Sequence, residues 1–326
     1  MIHARIIGTG HYLPERLVTN DDLAKFVDTS DEWVRQRTGI EQRYFAAPEQ
    51  AVSDLGTEAG RRALEDAGIT PDEVDYIICA TLTADFLMPS SACVIQHNLG
   101  AMRAGASDLN AACSGFVYGL QHADALIRAG IHKTILVIGG EKLSDHLLWE
   151  KRDTAVLFGD GAGAAVLQAR EGEHGVLSTY TRSDGSAAEI LSVPSGGSRQ
   201  PITAENVNTV ERGVAMNGRE LYKRAVGAFG DAIEVALHQT GLKVDEIDLF
   251  IPHQANKRII DSAAKRVGLT EDKIYLNVMK VANTSAASIP IAIDQARAEG
   301  RIKEGDTILL AAFGGGLTWA SAMIRW

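Results

Sequence analysis

Two kinds of apolar pattern alternate along the chain. In one, apolar residues recur at helical spacing, as at Phe116, Leu120, Ala123 and Ile127; in the other, nearly every position of a short stretch is apolar, as in YIICA (76–80), TILVIGGE (134–141) and TILLAAFGGG (307–316). The first predicts amphipathic helices and the second predicts strands covered on both faces. The helical stretches stop at Gly68, Gly130, Gly241 and Gly300, where glycine can take the left-handed backbone that closes a helix. Helices alternating with buried strands imply a layered α/β fold in which helices cover the sheet faces.

The pattern also repeats. Residues 63–78 (ALEDAGITPDEVDYII) align without gaps on 236–251 (ALHQTGLKVDEIDLFI) with seven identities in sixteen, against roughly one expected by chance. Each copy reads as a helix ended by glycine, an Asp-Glu turn and a buried strand, and 134–141 with 307–316 makes a second matched pair. Two similar halves are therefore expected, 1–172 and 173–326, with a site at their junction drawing residues from both. The stretch 183–212 lacks clean periodicity and is rich in Gly, Ser and Pro, so it is expected to cover a site.

Composition narrows the function classes. With 326 residues, 45% hydrophobic and 23% charged, the chain can bury a large core and falls outside the range of disorder. A formal charge of −10 argues against nucleic acid or an anionic membrane surface as the main partner, and any anionic ligand must meet a local basic patch. The three cysteines, Cys79, Cys93 and Cys113, lie far apart without a C-x-x-C pair, which argues against a zinc site or disulfide framework and for a reducing compartment. The opening residues lack the apolar region of a signal peptide and no run approaches 18 apolar residues, so a cytoplasmic location is expected.

Cys113 is the strongest candidate for chemistry. It lies in NAACSGF, among small residues that open a helix, where backbone N–H groups favour an anion and are expected to lower the thiol pKa. Cys79, inside an apolar strand, and Cys93, in a helix, are assigned to packing. His253 directly follows the repeated strand, where the first copy has Ala80, so a polar group stands at a strand's C-terminal end, a common place for ligands in α/β sheets. Asn283 begins a turn of small polar residues before another helix, and read alone it serves equally well as a helix cap. FGGGLTW (313–319) offers amides that can approach an oxyanion closely. IIGTG and FGDGAGAAV complete neither a P-loop nor a dinucleotide fingerprint.

Taken in order, TSDEWVRQRTGI (29–40), NAACSGF (110–116), FGDGAGA (158–164), PHQAN (252–256), NTSAASIP (283–290) and FGGGLTW resemble the β-ketoacyl-acyl carrier protein synthase III family nearly end to end. The resemblance implies a thiolase-like α-β-α-β-α fold of two similar halves and a condensing acyltransferase of type II fatty acid synthesis that needs no metal or other cofactor. It implies that Cys113 accepts the acyl group from acyl-CoA, that the amides of Cys113 and Gly315 hold the oxyanion, and that His253 and Asn283 act on malonyl-acyl carrier protein. It further implies that CoA meets Thr29, Trp33, Arg37, Arg152 and Asn256, and that Met88 and Phe313 shape the acyl pocket. Arg258, with Lys257, Lys265 and Lys223, would face the carrier protein, and Met88 would gate the pocket across a homodimer. Two residues depart from the family pattern: Ala282 stands where Gly is usual, and Met88 stands where an aromatic residue is common. A related enzyme of secondary metabolism, using another primer or malonyl-CoA, shares the same motifs.

Overall fold

The computed structural model describes residues 2–326. Its two main sheets share one plan. In the N-terminal sheet the order is Ile2–Tyr12, Gly161–Glu171, Thr134–Glu141, Tyr76–Ala80, Gly105–Leu109. The first two contacts are antiparallel and the last two parallel. In the C-terminal sheet Gly175–Ser183, Thr318–Arg325, Thr307–Gly314 and Leu249–Pro252 follow with the same directions. A parallel bridge from Phe250 to Ile274 stands where the fifth strand would be. The repeat seen in the amino acids is thus a repeat of topology.

Each central strand is apolar at successive positions because both of its faces are covered. Ile135 and Val137 point into the core that contains the Gly115–Arg128 and Ser288–Ala298 helices, whereas Leu136 and Ile138 point into a core built on Val52–Ala67 and Ser91–Leu99. In the second half Ile308 and Leu310 face the same central helices, and Leu309 and Ala311 face Gly218–Thr240 and Lys257–Val267. The result is five layers, α-β-α-β-α, with the two central helices shared by both sheets.

Close approach at the centre depends on glycine. A Cβ at Gly139 would lie 2.2 Å from the Ala286 carbonyl oxygen, so a side chain there would push the 283–287 turn away from the first half. The stretch after Ser183 is mostly irregular and crosses the junction of the halves, stitched by a two-residue ladder between Leu191–Ser192 and Ala215–Met216. No helix among the described residues is long and apolar enough to cross a membrane.

Candidate active site

Cys113 lies in a single 3₁₀ turn, Ala112–Ser114, that runs straight into the Gly115–Arg128 helix. The other half holds this turn in place. Thr318 Oγ1 donates to the Ala111 carbonyl at 2.8 Å, and Ser114 Oγ donates to the Thr318 carbonyl at 3.2 Å. A Cβ on Gly314 would stand 2.7 Å from the Cys113 backbone nitrogen, so glycine lets the 313–316 turn close on Cys113. The amides of Cys113 and Gly315 both donate toward the sulfur.

The expected fall in the thiol pKa does not occur. Burial pushes Cys113 up to about 11, outweighing the Ser285 hydroxyl and the two amides, which act in the opposite direction. At rest Cys113 is a thiol, and a thiol must lose its proton before the sulfur can act as a nucleophile. The packing role expected for Cys79 holds, since it is fully buried, but Cys93 is exposed. The Ser91–Leu99 helix turns that position outward while Ala92 and Ile95 enter the core.

His253 is 1% exposed. Its amide donates to Ala311 at 2.8 Å, continuing the ladder past Pro252, and its Nδ1 is 2.6 Å from Ser288 Oγ. The Gln254 amide donates to the same hydroxyl oxygen at 3.4 Å. Ser288 thus anchors Nδ1, and which of the two carries the bridging proton follows from the tautomer; with the Ser288 proton on this bond, the ring's own proton sits on Nε2. Burial lowers the imidazole pKa to about 3, so His253 is a neutral donor. Asn283 Oδ1 accepts from the Ser285 amide at 2.9 Å, which leaves its Nδ2 group as a second neutral donor.

Three non-glycine residues among those described have positive φ: Ala112 at 47°, Ala282 at 59° and Ser285 at 50°. Each is within two residues of Cys113 or Asn283, so backbone strain collects where the reactive groups are aimed. Cys113, His253, Asn283 and Phe313 line one cavity of about 310 Å³ that opens toward Trp33, Arg37 and Arg258. A larger space of about 840 Å³ lies against Cys113 as well, walled by Leu82, Leu143, Phe158, Val193 and Gly315, with Ala188 to Gly197 over it. The irregular 183–212 stretch is, in part, this cover.

Comparison with known proteins agrees with the geometry. The family described as 3-oxoacyl-[acyl-carrier-protein] synthase III matches residues 107–185, and its C-terminal counterpart matches 237–326. A β-ketoacyl-[acyl-carrier-protein] synthase III of Caldanaerobacter subterraneus is 51% identical over 325 residues, spanning 100% of this chain and 98% of that protein. The chain belongs to the β-ketoacyl-acyl carrier protein synthase III family. The crystal structure of the Aquifex aeolicus enzyme superposes with a TM-score of 0.92 at 45% identity, covering 99% of this chain and 100% of that one. The priming β-ketosynthase of the R1128 polyketide pathway reaches 0.93 at 34%, covering 99% and 96%. Members are condensing acyltransferases of fatty acid synthesis, and this chain is one of them.

The remaining residues singled out from the sequence are placed unequally. Trp33 is flanked by two guanidinium groups, Arg152 at 4.3 Å and Arg37 at 4.7 Å from its ring centre. Thr29 does not line this cavity, and its hydroxyl is buried without a partner. Asn256 lines the cavity but caps the Lys257–Val267 helix, accepting from the Arg258 amide at 2.9 Å and donating to the Arg37 carbonyl at 3.1 Å. Arg258, Lys265 and Lys223 are exposed, whereas Lys257 pairs with Asp261 at 2.7 Å and packs on Gly39. Of the two cavities against Cys113, Phe313 lines the smaller; Met88 is 85% exposed and lines neither in its own chain.

Sequence reasoning passed over Ser285, Ser288, Thr318 and Glu141. The two serines stand in NTSAASIP, where their hydroxyls could have been read as partners for the neighbouring candidates. Glu141 carried a sharper signal, a lone carboxylate ending a strand that is otherwise apolar after Thr134.

Proposed function

We propose that the chain joins an acyl-CoA primer to malonyl-acyl carrier protein by decarboxylative Claisen condensation, giving the β-ketoacyl-acyl carrier protein that starts fatty acid synthesis. The observation that carries this reading is one cavity shared by Cys113, His253 and Asn283 and open toward Trp33, Arg37 and Arg258. Cys113 attacks the primer thioester, the amides of Cys113 and Gly315 hold the oxyanion, and CoA departs as the thiolate. The malonyl thioester then enters. Nε2–H of His253 and Nδ2–H of Asn283 donate to its carbonyl, stabilising the enolate as CO2 leaves, and the enolate carbon attacks the acyl-cysteine. Neutral donors suit this step, because they stabilise developing negative charge without a proton transfer, and neither half-reaction calls for a metal or other cofactor.

The two arginines beside Trp33 support a nucleotide there, stacked on the indole with its phosphates met by guanidinium groups, Thr29 nearby and Asn256 on the pantetheine arm. On a chain of net charge −10, an acidic carrier protein needs a basic face. Arg258 and Lys265, seven residues apart on one helix face, supply it with Lys223, and Lys257 contributes least because Asp261 partly neutralises it. A homodimer is supported by two features: Gly105–Leu109 is an edge strand, and Phe86, Leu87 and Met88 nearby in the chain are 57%, 100% and 85% exposed. Met88 would then gate the partner's acyl pocket beside Phe313. We place the division of the halves at residue 172 and the protein in the cytoplasm, without a nucleic acid or membrane partner.

The test is intact mass after incubation with a panel of acyl-CoAs, for wild type and Cys113→Ala, followed by malonyl-acyl carrier protein. An acyl adduct on wild type alone, discharged as β-ketoacyl product, is expected; equal labelling of the variant overturns Cys113 as the acceptor. The likeness to the polyketide priming ketosynthase favours a second reading, a secondary-metabolite enzyme with another primer or with malonyl-CoA as extender. That reading expects malonyl-CoA to react as fast as the carrier-bound form.

A further inference from the structure

The Thr134–Glu141 strand turns Ile135 and Val137 toward the central helices, and the same alternation brings Glu141 to that side. It is 0% exposed. Every group on its carboxylate is a donor: Thr83 Oγ1 at 2.7 Å, Ser285 Oγ at 3.0 Å, Thr81 Oγ1 at 3.1 Å and the Leu82 amide at 3.2 Å. Donors alone suit an ionised carboxylate. Among the described residues no Lys or Arg pairs with it, and burial raises its pKa to about 7, where a group can both take and return a proton near neutrality.

Ser285 joins this carboxylate to the nucleophile. Its hydroxyl proton is directed to Glu141, so the oxygen keeps lone pairs for another donor. Cys113 lines the same cavity as Ser285. The link is rigid, since Ser285 sits at φ 50°, its amide is fixed to Asn283 Oδ1 at 2.9 Å, and Gly139 admits the whole turn. With Ser288 donating to Nδ1 and the ring proton on Nε2, His253 has no free lone pair for the thiol proton.

From this geometry, and resting on Cys113 as the acyl acceptor, we infer that Glu141 takes the Cys113 proton through the Ser285 hydroxyl when the nucleophile attacks. As the sulfur forms its bond to the thioester carbon, its proton moves to Ser285 Oγ and the Ser285 proton moves to Glu141 Oε1. CoA leaves as a thiolate and takes a proton from water. In the second half-reaction Cys113 is the leaving group, and the relay runs backward to restore the thiol. One proton is consumed per turnover, as decarboxylative condensation requires. Other titratable groups around the pair have roles of their own. Asp85 accepts from the Ser53 amide, Asp108 from the amides of Ser91 and Ala92, and the Lys142 ammonium meets Pro48 O and Asp145. Cys79 on the neighbouring strand is held as a thiol by burial.

The experiment follows alkylation of Cys113 by iodoacetamide from pH 5 to 10, read by intact mass, in a Cys93→Ser background that removes the exposed thiol. Wild type should show a rate that rises through about pH 7, as Glu141 ionises. Ser285→Ala should react about 10²-fold more slowly at pH 7 and recover only toward pH 10, and Glu141→Gln should match it. Ser285→Ala keeps three of the four donors on Glu141, so it decides the matter even where Glu141→Gln folds poorly. A wild-type profile in Ser285→Ala, or a uniform loss with the profile unchanged, overturns the relay. Because the reagent is no substrate, this outcome is independent of whether any acyl-CoA labels the protein.

Discussion

Moving from pH 7 to pH 5 should expose a hidden balance between His253 and Glu141. The ordinary imidazole pKa of 6.5 drops to about 3 in the fold. Between those values the unfolded chain binds a proton that the folded ring does not, so stability is lost as pH falls. At pH 5 the loss is about 1.5 pH units' worth, or about 2 kcal/mol. Glu141 works the other way: its pKa rises from 4.5 to about 7, the folded state takes the proton first, and acidification over the same span returns about 2 kcal/mol. The two contributions nearly cancel in wild type. Single variants uncover them. On going from pH 7 to 5, His253→Gln should gain about 2 kcal/mol relative to wild type, and Glu141→Gln should lose about 2 kcal/mol. Urea unfolding at both pH values, followed by far-ultraviolet circular dichroism at one protein concentration, measures this. A His253→Gln difference that is the same at both pH values to within about 0.5 kcal/mol refutes the claim that the ring is held neutral.

Ser288→Ala removes the group that holds Nδ1, so malonyl decarboxylation should slow by about 10- to 100-fold while acylation of Cys113 persists; equal loss in both half-reactions counts against a role in setting the tautomer. Gly139→Ala drives a methyl into the Ala286 carbonyl and should cost about 1–3 kcal/mol, seen as a lower melting temperature together with weakened condensation. Ala282 holds a backbone that glycine takes freely, with φ 59° and ψ −161°. Relief of about 1–3 kcal/mol of strain against about 0.8 kcal/mol for the lost methyl predicts that Ala282→Gly melts higher than wild type; a lower melting point refutes this. Trp33→Ala should raise KM for acyl-CoA with little change in kcat, and an unchanged KM would remove the nucleotide from that indole.

Much of the fold was legible before any coordinates. Runs such as TILVIGGE, apolar at nearly every position, predicted strands covered on both sides, and the match of 63–78 to 236–251 announced the duplicated topology. The gathering of Cys113, His253 and Asn283 at one cavity followed from where each stood: at a helix start, at a strand end and in a turn of small residues. Other placements were less clear. Asn256 caps a helix as well as lining the cavity, Cys93 faces outward, and Phe313 lines the smaller of the two cavities against Cys113.

What the amino-acid order determined by itself is local: which stretches are helix or strand, where glycine must turn the chain, and which side chains could carry chemistry. The protonation of those side chains was decided only when the layers closed. The helix start argued for a lowered thiol pKa, yet burial raised it, because water is excluded by elements from both halves. The tautomer of His253 depends on Ser288, 35 positions away, and the Glu141 carboxylate accepts from Ser285, 144 positions away. Desolvation and hydrogen-bond partnership are set by neighbours in space, and spatial neighbours this distant in sequence exist only in the packed structure.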